Sequence, residues 1–353
     1  MNKYLSLKLR ILSFILIIMV IYVHSYNISP LNDADKIAMR GYNSFIQHFF
    51  SQEFARIALR LFFSISGYLF FLNFKGTIED YISKLKKRAK LLLVPFVFWS
   101  AMWILIYFCL QSFSSTRSLF EGTLIKELHF TGFLGTLFLH PIPFQLWSIR
   151  DLILLAVLSP ILYFLIKHLK YVVIIIFLVA WYLQVDFYIL SNESVLFFTI
   201  GGTLSILKSQ ILTVVWTKKQ SIFIVIWIAI CLSGTILDHL NSKNIFIADL
   251  LHKTGILFGI VSIWILYDIL PKYKNIEESK FFDIFTFSFF IFAFHIPMLT
   301  FVRKILFKFG NTEFISFTIY IFAPLIVISA SLLTGFFLKK TIPNFYKIIS
   351  GGR

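Results

Sequence analysis

Cysteine is nearly absent. Cys109 and Cys231 are the only two, and each lies inside an apolar run. Two such residues build neither a disulfide framework nor a thiolate metal cluster. Charge is scarce too: 14% of residues are charged, against roughly a quarter in a soluble domain. Acids are the rarer sign, 17 Asp and Glu against 33 Lys and Arg. No polar stretch is long enough to form a soluble domain. There is no G-x-S-x-G turn to present a serine nucleophile, no close-spaced metal motif, no internal repeat and no low-complexity segment. What fills the chain is 58% hydrophobic residues, including 44 Phe, over 353 positions. That composition excludes a soluble enzyme and predicts an all-α fold, a polytopic membrane bundle forming one domain over 1–353.

A span needs about 20 mainly apolar residues. Ten segments qualify, near 9–28, 56–74, 91–111, 146–166, 171–190, 194–212, 221–238, 250–270, 281–301 and 314–338. The formal charge of +16 raises nucleic acid as a partner, but the Lys and Arg residues cluster in short segments between apolar runs, the pattern that orients a membrane protein. Nucleic acid is therefore not expected; membrane lipid is. With the N-terminus in the cytoplasm and strict alternation, the inner segments hold Lys3, Lys8 and Arg10, then Lys84, Lys86, Lys87, Arg88 and Lys90, and finally Lys339, Lys340 and Lys347. Both termini then lie in the cytoplasm, and the protein is expected to be a multi-pass protein of the cell membrane. The first apolar run follows basic residues as a signal peptide would. It lacks a small-residue cleavage site, so it is expected to remain as the first span. Residues 29–55 and 112–145 become the two long outer loops, the second containing the helix-breaking HPIPF at 140–144.

This topology sends ionisable groups from four spans to one depth. His24 ends the first span, Arg56 and Arg60 open the second, Arg150 and Asp151 open the fourth, and His295 sits in the outer half of the ninth. Ionisable residues inside spans usually face a bundle interior or a wet cavity. Each also has a plain reading: His24 as an interface residue beside Tyr22 and Tyr26, Arg56 likewise, Arg150 and Asp151 as a local capping pair, His295 as filler at the kink of Pro297. Taken together, two imidazoles and several guanidiniums suit acid–base work on a hydroxyl and stabilisation of an oxyanion. A metal is less well served, since His24 and His295 supply two ligands and Asp151 at most a third.

Five stretches carry a resemblance: IYVHSYN at 21–27, FFSISGYLFF at 62–71, KLKKRAKLLLVPFVFW at 84–99, LWSIRDLILLAVLSPILYFLI at 146–166 and SFFIFAFHIPML at 288–299. In this order they resemble the acyltransferase-3 membrane family over essentially the whole chain. The resemblance implies about ten helices, a cytoplasmic acyl-CoA donor, usually acetyl-CoA, no further cofactor, and transfer to a hydroxyl of a glycan or lipid-linked sugar. It implies that His24 is essential. The family pattern also places an Arg eleven residues before that His, where this chain has Ser13; Arg10, one turn nearer the cytoplasm, is either its substitute or an orienting charge. On this reading Lys84, Lys87 and Arg88 meet the nucleotide phosphates, Gly67 lets the pantetheine arm pass, and Arg60 and Arg150 hold the thioester oxygen or an anionic group of the acceptor. The rival reading is a carrier or flippase for a polysaccharide or its lipid-linked precursor, in which the same cluster binds sugar without chemistry.

Overall fold

In the computed structural model, residues 3–28, 41–117, 120, 123–185, 187–240, 244–270 and 280–352 are described. Everything is arranged around the first helix, α1 (Lys3–Ser25). Its unbroken Leu, Ile and Val content leaves it no polar face to turn toward water. Leu5, Leu9, Leu12, Leu16, Ile17, Val20 and Ile21 are all buried. It packs against the second helix and against the last two long helices of the chain. Near its start, Lys8 Nζ meets Asp268 Oδ1 at 2.9 Å, both side chains 0% exposed. The same ammonium stands 4.1 Å from the ring centre of Trp264. Lys8 is thus an internal counter-ion as well as a basic residue of the first segment.

The second helix, α2 (Tyr42–Phe71), departs from expectation. Of the predicted outer loop 29–55, residues 29–40 lie outside the described residues, but the rest is helical. It passes through a π-helical stretch at His48–Phe54 before continuing as regular α-helix. The cause is a polar face that looks like loop in sequence. Asn43, Gln47 and Ser51 are buried. Gln47 donates to Asn27 Oδ1 at 2.8 Å and to Asn43 Oδ1 at 2.7 Å, and Ser51 shares a 2.9 Å bond with Tyr320. Partners from other helices replace the water that hydropathy assumes.

The third helix, α3 (Ile78–Ser112), is capped by Thr77, whose hydroxyl accepts the Asp80 N–H at 3.3 Å. The expected span 146–166 resolves into α4 (Phe144–Val157) and α5 (Ser159–Leu169), which meet at 66°; Pro160, at the start of α5, cannot continue a straight ladder. The next two expected spans are short helices, α6 (Val172–Tyr182) and α7 (Asn192–Ile206). The remaining four coincide with long helices: α8 (Lys218–His239), α9 (Ile245–Ile269), α10 (Asp283–Phe309) and α11 (Glu313–Thr341). A short α12 (Pro343–Ile349) folds back onto α3. Among the described residues there is no β-strand. Among the described residues seven helices are long and apolar enough to span on their own, and the bent pair, taken as one span, makes an eighth. The expected ten therefore includes α6 and α7, which fall short of that length.

Two glycines fix how α2 and α7 cross. A Cβ on Gly67 would stand 2.0 Å from the Phe198 carbonyl oxygen, and one on Gly201 would stand 1.8 Å from that of Ser64. The backbones touch, as small residues permit in membrane bundles. Gly67, expected to open a path for a substrate arm, instead forms this crossing.

Candidate functional site

His24 lies in the last turn of α1, and His295 lies mid-way along α10. The packing of these two helices brings the imidazoles together, with ring centres 5.5 Å apart and planes tilted by 32°. The Phe144 ring stands edge-on to His24 at 4.9 Å. His24 is partly exposed and His295 fully buried. The last turn of α1 is tied to α10 by Arg303, which donates from Nη1 to the His24 carbonyl at 3.2 Å. Arg56 of α2 is held by Gln52, its Nε donating to Gln52 Oε1 at 3.1 Å.

His295 has a definite tautomer. Its Nδ1 lies 2.6 Å from the Phe292 carbonyl oxygen. A carbonyl can only accept, so Nδ1 carries the hydrogen and the neutral ring presents a lone pair at Nε2. That Nε2 is buried without a partner among the described residues. One turn on, Pro297 has no N–H, so the carbonyl of Ala293 loses its helical donor. Gln145 supplies one: its amide donates to Ala293 O at 3.2 Å and to Phe292 O at 3.3 Å. The HPIPF segment, which breaks the helix before α4, thereby delivers a side chain to the kink of α10.

A cavity of about 150 Å³ lies between α1, α2, α3, α4 and α10; neither imidazole lines it, but Phe292, one turn before His295, does. Phe292 and Ser148 are among its lining at the imidazole side, with Ser13 and Arg88 further along. Ser13 lies eleven residues before His24, about 16 Å along the helix and within about 20° of the same face. Arg88 bonds the Ser66 hydroxyl at 3.3 Å and the Ser66 carbonyl at 3.1 Å, so its head is fixed at this cavity.

The other expected residues are placed differently. Arg60 pairs with Glu193 at 2.5 Å and donates to the Arg56 carbonyl at 2.9 Å. Arg150 donates to the carbonyls of Leu139 at 2.7 Å and Ile189 at 3.2 Å, and meets Asp151 at 3.2 Å. Asp151 in turn accepts the Ser191 N–H at 3.0 Å. This pair clamps the segments before α4 and α7; it is not held open for a substrate. Lys84 donates to the Leu72 carbonyl at 2.9 Å, while Lys87 and Arg10 are exposed. None of these three lines the cavity, and Ser13, where the family pattern has Arg, does.

Gln145 and Arg303 escaped the sequence reading. So did a second polar cluster, in which Glu53 stands 3.6 Å from His48 and 3.4 Å from His252, and His48 stands 3.0 Å from Asp238. Each residue is alone in an otherwise apolar or loop-like context, and only the packing of α2, α8 and α9 joins them. Among the described residues no group of three or more His, Cys, Asp or Glu side chains is placed to hold a metal ion.

A family model described as an acyltransferase domain matches residues 8–336. Along its whole length the chain is 24% identical, over 364 aligned positions, to the succinoglycan biosynthesis protein ExoH of Rhizobium meliloti (strain 1021), covering 94% of that protein. No solved structure matches.

Proposed function

The chain belongs to the acyltransferase-3 family of membrane acyltransferases, and from that premise we propose that it transfers an acetyl group from cytoplasmic acetyl-CoA to a hydroxyl of a polysaccharide or its lipid-linked precursor. The acceptor class follows the relative named for succinoglycan biosynthesis. The observation that carries the reaction is the meeting of His24 and His295 at 5.5 Å between α1 and α10.

The residues divide the work by position. Arg88 meets an anionic part of the donor, as a guanidinium suits phosphate, while the acyl end of the donor extends past Ser13 toward the imidazoles. His24 takes the proton of the acceptor hydroxyl as its oxygen attacks the thioester carbon. The C–S bond breaks, and His24 returns the proton to the departing sulfur, so the products are an ester and free CoA thiol. Arg303 holds the backbone of the last turn of α1 and so aims His24. The cell membrane is the expected location, with both termini and the CoA side in the cytoplasm.

The test is His24→Ala in membranes given radiolabelled acetyl-CoA and polysaccharide from cells lacking the protein. Loss of general-base catalysis lowers transfer by about 10²- to 10⁴-fold. Transfer at the wild-type rate would overturn the proposal. A carrier would show no acetyl-CoA-dependent labelling with either protein.

A further inference from the structure

Two buried lone pairs at the imidazole site have no donor. Gln145 is 2% exposed and His295 0% exposed. Gln145 Oε1 and His295 Nε2 both lack a hydrogen-bond partner among the described residues. Their character is fixed from behind. The Gln145 amide nitrogen faces two carbonyls, at 3.2 and 3.3 Å, which only accept, so its oxygen is turned the other way. His295 Nδ1 faces the Phe292 carbonyl at 2.6 Å, so Nε2 is the acceptor. Both side chains hang on that one carbonyl oxygen, which makes them immediate neighbours.

A buried acceptor left unpaired carries its full desolvation penalty. Each is held by backbone carbonyls in the turn before Pro297, and together they offer two acceptors to hydrogen-bond donors. Phe292, whose carbonyl holds both, lines the cavity together with Ser148, whose hydroxyl bonds the Gln145 carbonyl at 3.0 Å. The missing partner needs two donors and no charge. A carboxylate or phosphate offers acceptors and is repelled. An ammonium would sit uncompensated beside the cation Arg303, which is tied to the His24 carbonyl. Hydroxyls fit.

We infer that Gln145 Oε1 and His295 Nε2 form a recognition subsite for a polyhydroxylated ring, taking two hydroxyls that flank the one acylated at His24. This rests on the acyltransferase reading above and adds to it which residues read the acceptor. Gln145 is then a binding residue for the acceptor and has no part in binding the donor.

The experiment measures KM separately for acetyl-CoA and for polysaccharide from cells lacking the protein, using membranes containing the full chain. Gln145 also satisfies the carbonyl freed by Pro297, so Gln145→Met alone removes a structural bond as well. The comparison is therefore made in Pro297→Ala protein, where the new N–H satisfies Ala293 and the glutamine is released from that duty. Relative to Pro297→Ala, the double variant Pro297→Ala/Gln145→Met is expected to raise the polysaccharide KM about tenfold, the loss of one buried hydrogen bond, with the acetyl-CoA KM unchanged. An unchanged polysaccharide KM, or an equal rise in both constants, overturns the subsite while leaving the acyltransferase reading intact. Absence of acetyl transfer by the wild-type protein overturns that reading, and the subsite with it.

Discussion

His24 and His295 were visible as lone imidazoles in apolar runs, and burial of a polar ring in a membrane segment is itself a signal. Their neighbours were not, because a buried charge in sequence says that a partner exists without saying which. Arg60 and Arg150 have the same residue type and depth as a catalytic guanidinium, yet Glu193 and a set of loop carbonyls claim them. Gln145 carries no charge and sits beside two prolines, so nothing marked it. Arg150→Met tests the clamp directly. Loss of its bonds to Leu139 and Ile189 is expected to lower stability by about 1–3 kcal/mol, read as a lower melting temperature in detergent, with the acetyl-CoA KM unchanged. The Lys8–Asp268 pair gives a sharper contrast, since both side chains are 0% exposed. Lys8→Met alone strands a buried carboxylate and is expected to cost about 3–5 kcal/mol, whereas Lys8→Met with Asp268→Leu is expected to restore most of it. Thermal unfolding of the single and double variants decides this.

At the scale of helices, apolar periodicity located every long span because lipid demands an apolar stretch of fixed length. It failed where protein replaces lipid. The first half of α2 reads as loop because Asn43, Gln47 and Ser51 spend their polarity on Asn27, Tyr320 and one another. Short α6 and α7 read as full spans because their connecting residues are apolar as well. The α2–α7 crossing is the element most sensitive to a single methyl. Gly67→Ala places a Cβ 2.0 Å from the Phe198 carbonyl oxygen, with backbone on both sides and no flexible chain to yield. Overpacking of this kind costs about 1–3 kcal/mol. The expected result is a lower yield of folded protein on size-exclusion chromatography. Gln47→Leu, which strands the Asn27 backbone N–H and Asn43 Oδ1, is expected to lower the melting temperature by a comparable free energy.

For the molecule as a whole, the net charge of +16 is a statement about orientation, carried by basic residues at the ends of spans. The exposed Lys87 provides the test. In a protein with Cys109 and Cys231 replaced by Ser, Lys87→Cys is expected to react with an impermeant maleimide in inside-out vesicles and to be protected in intact cells; the reverse pattern would invert the topology. Lys8 does not belong wholly to that orienting set, because its ammonium is matched by a carboxylate 260 residues downstream. At translation rates of about 5–20 residues per second, the first helix waits on the order of 10 to 50 s at the ribosome before its counter-ion exists. Until then that ammonium lacks the carboxylate it meets in the folded protein. The contact that joins the start of α1 to the end of α9 is therefore made only after about three quarters of the chain has been synthesised.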